Sequence, residues 1–509
     1  MLLVAGATPA GVGVAPIDPP PEVPREFRAA WLTPISDLNI RDWPSSPNLS
    51  PEQQRAELRE QLDRAQAVGL NAVILHVRIA GDALYPTRYA PWSAFLTGKS
   101  GVAPQPAYDP LEFAISEAHA RGLQLHAWFN PFRAAYPSLK GPAAASHVTR
   151  AHPSWIRKYG KQVWIDPGEP AARAAVLETI LDVVKRYDVD GVHVDDYFYP
   201  YRETRTTSRR VGRRRVRVVR EIPFPDDRTW KKYGAARGLT DRDAWRRSNI
   251  DTFVESMYRG VKRVKPTVLV GISPFGIWRS GTPQGVTGLD AYREIYADAR
   301  RWLAEGWVDY LAPQLYWPLW GAQDRFRALD DWWRTQNPMG RHVWPGLYTS
   351  RTWSAAAGWS MSEVPSQITT IRDRRAGTND LPGHVHFRLG ALIADRSALG
   401  ASLASGAYAD RAAVPSAPWL GQAEPAAPVV TPVQGDGPTS FTVAPGDSLA
   451  VRWWLVQAHG RGGKWTTTLQ RAGGGALNAG AFGTDDPDEI AVRAITPSGV
   501  MGPPAVVVP

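Results

Sequence analysis

The sequence predicts an α/β chain: a (β/α)8 TIM barrel over residues 25–406, followed by a small all-β sandwich over 426–509. Three observations carry this. Apolar strand-like runs alternate with helix-like segments, and there are eight such runs; alternation argues for a parallel sheet and the count of eight for its closure. The loops after the second, third and fourth runs are long while the opposite connections are short, as in barrels that build a site at the strands' C-terminal ends. Beyond about Ala407 the composition turns to Pro, Ala and Gly, then to short alternating runs split by Gly, Pro and Asp turns. An open doubly wound sheet is the alternative. It would place a glycine-rich phosphate turn after the first strand, and none follows FRAAWLTP.

A Pro-rich leader occupies 1–24, and Phe27–Pro34 is the first strand. Ser50-Pro51-Glu52-Gln53 opens a helix with a capping box and proline at its first position, and Gly69 stops it. Asn71–Arg78 is the second strand. Asp109-Pro110 caps a helix that ends at Gly122, and Leu123–Pro131 is the third strand. Helix Glu169–Tyr187 leads to the fourth strand, Gly191–Asp195. Three further pairs follow: helix Asp243–Lys265 with strand Val268–Phe275, helix Leu289–Ala304 with strand Val308–Trp317, and helix Gln323–Asn337 with strand His342–Tyr348. Helix Glu363–Ala376 and strand Gly383–Gly390 complete the barrel. Residues 407–425 read as a Pro/Ala linker.

Composition bounds the chemistry. The chain has 509 residues, 43% hydrophobic and 21% charged, which gives a globular protein too long for one ordinary domain. Cysteine is absent, so disulfides, thiol nucleophiles and cysteine-ligated metals are excluded. Many of the 22 tryptophans are expected to line a surface that meets sugar faces or other flat rings, with a Trp-heavy core as the alternative. The net charge of +10 is concentrated locally: eight arginines lie between Arg205 and Arg220. That run reads as a solvated insertion or an anion-contacting loop, and no nucleic-acid motif stands beside it. MLLVAGATPAGVGVAP is apolar and too short to span a bilayer; it resembles the tail of a secretory signal. A secreted, periplasmic or cell-envelope location is expected.

The most informative stretch is GVHVDDYFYPY, Gly191–Tyr201. A buried strand ends in two carboxylates, which are costly to desolvate without partners, and aromatic rings follow at once. An isolated Asp-Asp pair is ordinarily a solvated strand end. Here, strand parity gathers other functional groups around it. His193 and Asp195 share a face of the fourth strand. Trp31 and Thr33 stand on the first, His76 and Arg78 on the second, Trp128 and Asn130 on the third with Arg133 beyond, and Gln314 and Tyr316 on the sixth beside Trp317. Tyr197 and Tyr199 follow the acids. One carboxylate ringed by amide, guanidinium, phenol and indole groups suits a polyhydroxylated ring. Arg78 is the expected ion partner of Asp195, which would keep that carboxylate ionised.

EFRAAWLTP, GLNAVILHVR, ARGLQLHAWFNPFR, WIDPGEPAAR, DGVHVDDYFYPY, FPDD, WRRSNIDTFV, VGISPFGIWR and VDYLAPQLYW together resemble the bacterial family-10-like glycosyl hydrolases, the glycosyl-hydrolase-like lipoproteins. The resemblance covers roughly Arg25–Leu399. It implies a barrel hydrolase of cell-envelope or extracellular polysaccharide, with peptidoglycan glycan strands the leading substrate, and a fibronectin type III-like C-terminal domain. The arginine run before FPDD and the lack of a lipobox cysteine depart from the family pattern. The motif is also similar to the DGxDxDxE strand of chitinase-like barrels. Tyr197 stands at the position of that pattern's glutamate, which argues against their mechanism with a substrate acetamido nucleophile.

On this reading Asp195 is nucleophile or transition-state stabiliser, Asp196 its partner, and Glu203 the foremost proton donor, with Asp82, Asp226 and Asp227 as other candidates. No cofactor or metal is expected. Two alternatives remain: a metal-dependent deacetylase using Asp195, Asp196, His76 and His193, and a non-catalytic carbohydrate-binding barrel.

Overall fold

The computed structural model describes residues 19–508 apart from 37, 138, 140, 212–213, 322–323, 353–357, 395–397, 422, 434–439, 461–462, 474–476 and 479–486. Most of the expected 1–24 leader, and Arg213 of the arginine run, lie outside the described residues.

The first half of the barrel follows the capping signals closely. Strand β1 (Phe27–Leu32) leads to α1 (Pro51–Val68), whose Ser50–Gln53 capping box forms and whose chain turns left-handed at Gly69, φ 102°. Then come β2 (Ala72–Arg78), α2 (Pro110–Ala120, capped by Asp109) and β3 (Gln124–Phe129). The loop after β3 contains a hairpin that sequence reading missed, β4 (Ile156–Tyr159) with β5 (Gln162–Ile165). Helix α3 (Pro170–Arg186) and strand β6 (Gly191–Val194) follow. The loop after β6 is not irregular: β7 (Glu203–Val211) and β8 (Arg214–Ile222) make an exposed antiparallel ribbon that carries the arginines.

The second half continues with α4 (Arg242–Val264), β9 (Leu269–Ile272), α5 (Ala299–Ala304), β10 (Tyr310–Leu311), α6 (Arg325–Thr335), β11 (His342–Val343), β12 (Gly346–Leu347), α7 (Glu363–Asp373) and β13 (Gly383–His386). The helix expected over Leu289–Ala304 is broken. Asp290 and Asp298 each cap a separate short helix through the N–H three residues on, and such local side-chain bonds compete with helix continuity.

The parallel sheet runs β11-β10-β9-β6-β3-β2-β1-β13-β12. Its two ends are the two halves of the expected seventh strand, divided at Pro345. β11 pairs with β10, and β12 pairs with β13. Gly346 N–H still donates to Pro313 on one side, while Pro345 C=O accepts from Val385 on the other. The eight strands therefore close into a barrel.

The interior is dominated by rings, with Ile74, Leu269 and Val385 packed among them. Phe27 stacks on Trp344 at 4.2 Å, and the Tyr310 hydroxyl bonds both His126 Nδ1 and His193 Nδ1 at 2.9 Å. Glycine makes room for them: a Cβ on Gly271 would lie 1.9 Å from the Tyr310 ring. Trp43, Trp164, Trp302, Trp333 and Trp344 are fully buried. Tryptophan thus serves the core as well as the mouth, contrary to the expectation of a mainly ligand-facing set.

The C-terminal region forms two antiparallel sheets: one of β14 (Val429–Val433), β15 (Ser440–Ala444) and β18 (Leu477–Asn478), the other of β17 (Lys464–Arg471), β16 (Trp453–Gly460), β19 (Pro487–Ile495) and β20 (Ala505–Val507), in those orders. Phe441 of the first packs with Trp454, Val456 and Val492 of the second. The stretch 407–425, expected to be a linker, is instead fastened along the barrel base. Tyr408 is buried and bonds His386 Nε2 at 2.7 Å, Asn71 donates to Ala412 C=O, and Trp419 Nε1 donates to Asp309 at 2.8 Å. Arg452 of the sandwich reaches Asp190 at 2.6 Å.

Candidate active site

A pocket of about 850 Å³ opens at the C-terminal mouth of the barrel. Its side chains come from seven of the eight strand ends. Trp31, Thr33 and Ile35 follow β1, His76 lies on β2, Trp128, Asn130, Arg133 and Tyr136 follow β3, and Asp195, Asp196, Tyr197 and Tyr201 follow β6. Ser273 follows β9, Gln314 and Tyr316 follow β10, and Phe387 and Arg388 follow β13.

Both aspartates are buried, with 5% and 3% of their surfaces exposed. Asp195 Oδ2 accepts from Trp128 Nε1 at 3.1 Å and Asn130 Nδ2 at 3.3 Å. Asp196 accepts from the Tyr201 hydroxyl and from the Gln314 amide. Burial, then the charge of Asp196, pushes the Asp195 carboxyl up to about 7, although Arg133, Trp128 and the Tyr197 amide favour its anion. Burial also raises Asp196. Two like charges this close cannot both ionise cheaply, so the pair holds a proton near neutral pH.

The walls are braced from behind. His76 stacks on Trp128 at 3.8 Å and bonds Thr33 Oγ1 through Nδ1, and burial holds its pKa well below the ordinary range. It is therefore a neutral ring that fixes the indole donating to Asp195. His193 lies beneath the floor, where its Nε2 accepts from Trp31 Nε1 at 3.1 Å. Arg133 stacks over Tyr197 at 4.1 Å. Arg388 joins the first and last strand ends, donating to Asp42 at 2.8 Å.

Eleven of the residues singled out from sequence line this pocket: Trp31, Thr33, His76, Trp128, Asn130, Arg133, Asp195, Asp196, Tyr197, Gln314 and Tyr316. Five do not. Glu203 opens the ribbon and accepts from Gln162 Nε2 at 3.1 Å, away from the acid pair. The β2–β3 register shifts between His76 and Arg78, and Arg78 lies buried near Asp82 and Tyr85 instead of pairing with Asp195. Arg133 is the cation that acts on Asp195. Tyr199 packs against Phe224 and Tyr296, and Trp317 sits on the rim against Phe275. His193 supports Trp31 from below.

The other proton-donor candidates are committed elsewhere. Asp82 accepts from Ile79 N–H, Ala80 N–H and Ser93, Asp226 pairs with Arg246, and Asp227 pairs with Arg242. Among the described residues, no cluster of three or more His, Asp or Glu side chains is placed to hold a metal ion. Sequence reading missed Tyr201, Tyr136, Ile35, Ser273, Phe387 and Arg388 as pocket residues. Ser273, Phe387 and Arg388 stand just past the ends of β9 and β13, inside the expected strands Val268–Phe275 and Gly383–Gly390, so they are recoverable from their place at a strand's C-terminal end. Tyr136 and Ile35 carry no such signal.

A family model described as "Glycosyl hydrolase-like 10" matches residues 26–357, which takes in every pocket residue except Phe387 and Arg388. The Bacillus subtilis (strain 168) protein "Glycosyl hydrolase YngK" is 37% identical over 422 residues, 81% of this chain and 78% of its own. "Glycosyl hydrolase DigH" of Escherichia coli (strain K12) is 38% identical over 327 residues, 60% of this chain and 69% of its own.

Proposed function

The chain belongs to the glycosyl hydrolase-like 10 family, and from that premise we propose that it is a glycoside hydrolase acting on a cell-envelope or extracellular polysaccharide, with peptidoglycan glycan strands as the leading substrate. The observation that carries the reading is the buried Asp195–Asp196 pair at the mouth of the barrel, walled by indole and phenol rings. The names of the two relatives support it. Aromatic faces stack on sugar rings, and Asn130, Gln314 and Arg133 offer donors to hydroxyl and carbonyl groups.

In this reading Asp195 keeps a proton near neutral pH and delivers it to the glycosidic oxygen. Asp196, held by Tyr201 and Gln314, supplies the negative charge that the oxocarbenium-like transition state requires. Exclusion of water by the ring walls strengthens both effects. The substrate class points to a secreted, periplasmic or envelope protein, with the C-terminal sandwich as a fibronectin type III-like appendage.

The test is mass spectrometry of soluble products after incubation with peptide-stripped peptidoglycan, chitin and other envelope glycans. Shortened oligosaccharides from the wild type and none from Asp195→Asn support the reading. Loss of acetyl groups without chain cleavage would support a deacetylase instead. Polymer binding without any product would leave a binding protein.

A further inference from the structure

A recess larger than the barrel mouth lies between the barrel base and the C-terminal sandwich, about 1220 Å³ against about 850 Å³. It continues into a second recess of about 450 Å³, with which it shares Gln66, Arg411, Thr467 and Thr468. Gln66 lies in the last turn of α1, and Asn71 and Gly122, which border the second recess, precede β2 and β3. The groove therefore sits at the strands' N-terminal ends, and β2 alone separates it from the mouth by roughly 20 Å. Successive residues of a strand point to opposite faces, so Thr466, Thr467 and Thr468 can all border one groove only where it runs along the strand's edge. β17 is such an edge: among the described residues it pairs with β16 alone.

A bare edge invites strand addition by a peptide, but this one is short. A Cβ on Gly122 would lie 2.5 Å from the Leu469 carbonyl oxygen, so the barrel base closes the edge there, and the open part falls below the roughly five or six residues of an ordinary strand. What faces it is side chains. Arg411, donating to the Gln66 carbonyl, brings a guanidinium. Asp410 and Glu22 bring exposed carboxylates, and Trp465 a half-buried indole. Two polar atoms here are unsatisfied: Trp465 Nε1, a donor, and Gln457 Oε1, an acceptor, are buried without a partner, although Gln457 Nε2 donates to the Pro21 carbonyl at 2.8 Å. Gln457 pairs with Thr467, and Trp465 stands two residues from Thr467 on the same face. The two residues are thus diagonal neighbours, roughly 7–8 Å apart at the backbone. Buried polar groups are ordinarily bonded, so an orphan donor beside an orphan acceptor marks a place for a ligand that both gives and accepts.

We propose that this groove is a second glycan-binding site, which holds a polysaccharide strand between the barrel base and the sandwich, apart from the mouth. A sugar suits it because each hydroxyl both donates and accepts, as the orphan pair requires, and because the apolar face of the ring can lie on the Trp465 indole. A volume above the roughly 300–1,000 Å³ of small-ligand sites points to an extended ligand. The described residues that line it include no buried acid pair, so it binds without cutting. The site stands whether or not the mouth is a hydrolase, and it gives the C-terminal sandwich a task.

The test is retention of the full chain on insoluble peptide-stripped peptidoglycan, intact peptidoglycan, chitin and cellulose, with Asp195→Asn present so that no polymer is consumed. Working in about 1 M salt, where the Debye length is about 3 Å, removes the contribution of the arginine ribbon. Trp465→Ala, and separately the double variant Asp410→Ala/Thr468→Ala, should each lower affinity for the retained polymer about tenfold, with melting temperatures confirming that both are folded. The same changes in a chain that keeps Asp195 should leave turnover of a short soluble oligosaccharide within about twofold, because the groove is remote from the acid pair. Parental retention of both folded variants, or retention of the chain on none of the polymers, overturns the site and leaves the hydrolase reading untouched. Retention on intact peptidoglycan but not on stripped strands, chitin or cellulose assigns the edge to a peptide and overturns it equally. Retention that falls in both variants, beside a failure to cleave any glycan, keeps the groove and sinks the hydrolase reading alone.

Discussion

Between Gly191 and Ile222 the chain brings like charges together twice, and the surroundings give the two encounters opposite meanings. At the pocket floor Asp195 and Asp196 are adjacent and buried, with indole, amide and phenol donors converging on them. In the ribbon Arg205 faces Arg220 and Arg210 faces Arg215 across two strands, all of them exposed. Facing like charges in a sheet are destabilising, but water and salt screen exposed ones. Burial removes that screening, so the acid pair answers by holding a proton. The same kind of contact becomes a titrating device below the surface and an electrostatic surface above it.

The largest expected effect falls on the buried encounter. Asp195→Asn and Asp196→Asn should each lower glycan cleavage by about three orders of magnitude or more while the fold persists. Product release counted by mass spectrometry checks this. A variant that keeps a tenth of the parental rate would mean that the pair is not the chemical centre.

The second effect is on stability. A carboxyl raised to about 7 keeps its proton in the folded chain between roughly pH 4 and 7, where the unfolded chain has lost it. The stabilisation tied to that proton is complete below about pH 4 and is lost as pH rises through 7. Asp195→Asn removes the titration but keeps an acceptor for Trp128 Nε1. Its unfolding free energy should therefore match the parent near pH 4 and exceed it at pH 8 by about a few kcal/mol, with the melting temperature moving the same way. Parallel melting curves across that range would show that the pair carries no stored cost.

The third effect is smaller. Tyr201→Phe removes a donor that favours the Asp196 anion, so the acidic limb of the pH–rate profile should move upward. The rate at pH 6 should fall about tenfold, with a smaller loss at pH 7.5. A uniform loss at every pH would assign Tyr201 to substrate contact instead.

These differences also explain how much was legible beforehand. The barrel was, because helix caps such as Ser50–Gln53 and Asp109 are local devices whose partners lie within four residues. The acid pair and its aromatic surround were legible because strand parity is local too. Arg78 misled because a register shift in β2 turned it away, and a shift depends on the neighbouring strand. The 407–425 strap misled because its composition is that of a linker, while its anchors, Tyr408 on His386 and Trp419 on Asp309, are supplied by residues distant in sequence. The arginine run was legible as charge but not as a ribbon, since its facing pairs appear only once the hairpin register is known.

The ribbon provides the last and smallest test, and it bears on the surface half of the comparison. Its two faces are both cationic: Arg205, Arg209, Arg214 and Arg220 fall on one, Arg210, Arg215 and Arg217 on the other. It leaves the barrel directly after the pocket residues Tyr197 and Tyr201, at the barrel mouth. An anionic polymer near it would relieve the repulsion between facing guanidiniums and be drawn toward the pocket. Such attraction has a reach of only about 8 Å at physiological ionic strength. Replacing Arg209, Arg214, Arg215 and Arg217 with Ser should therefore weaken binding to insoluble peptidoglycan a few-fold and flatten its salt dependence, while turnover of a short neutral oligosaccharide changes by less than about twofold. Because the Arg210–Arg215 pair no longer opposes like charges while Arg205 still faces Arg220, the variant should be no less stable than the parent. Unchanged polymer binding at low salt would make the ribbon a solvated insertion, and a large loss of oligosaccharide turnover would mean that it reaches into the pocket and that the two encounters are one site.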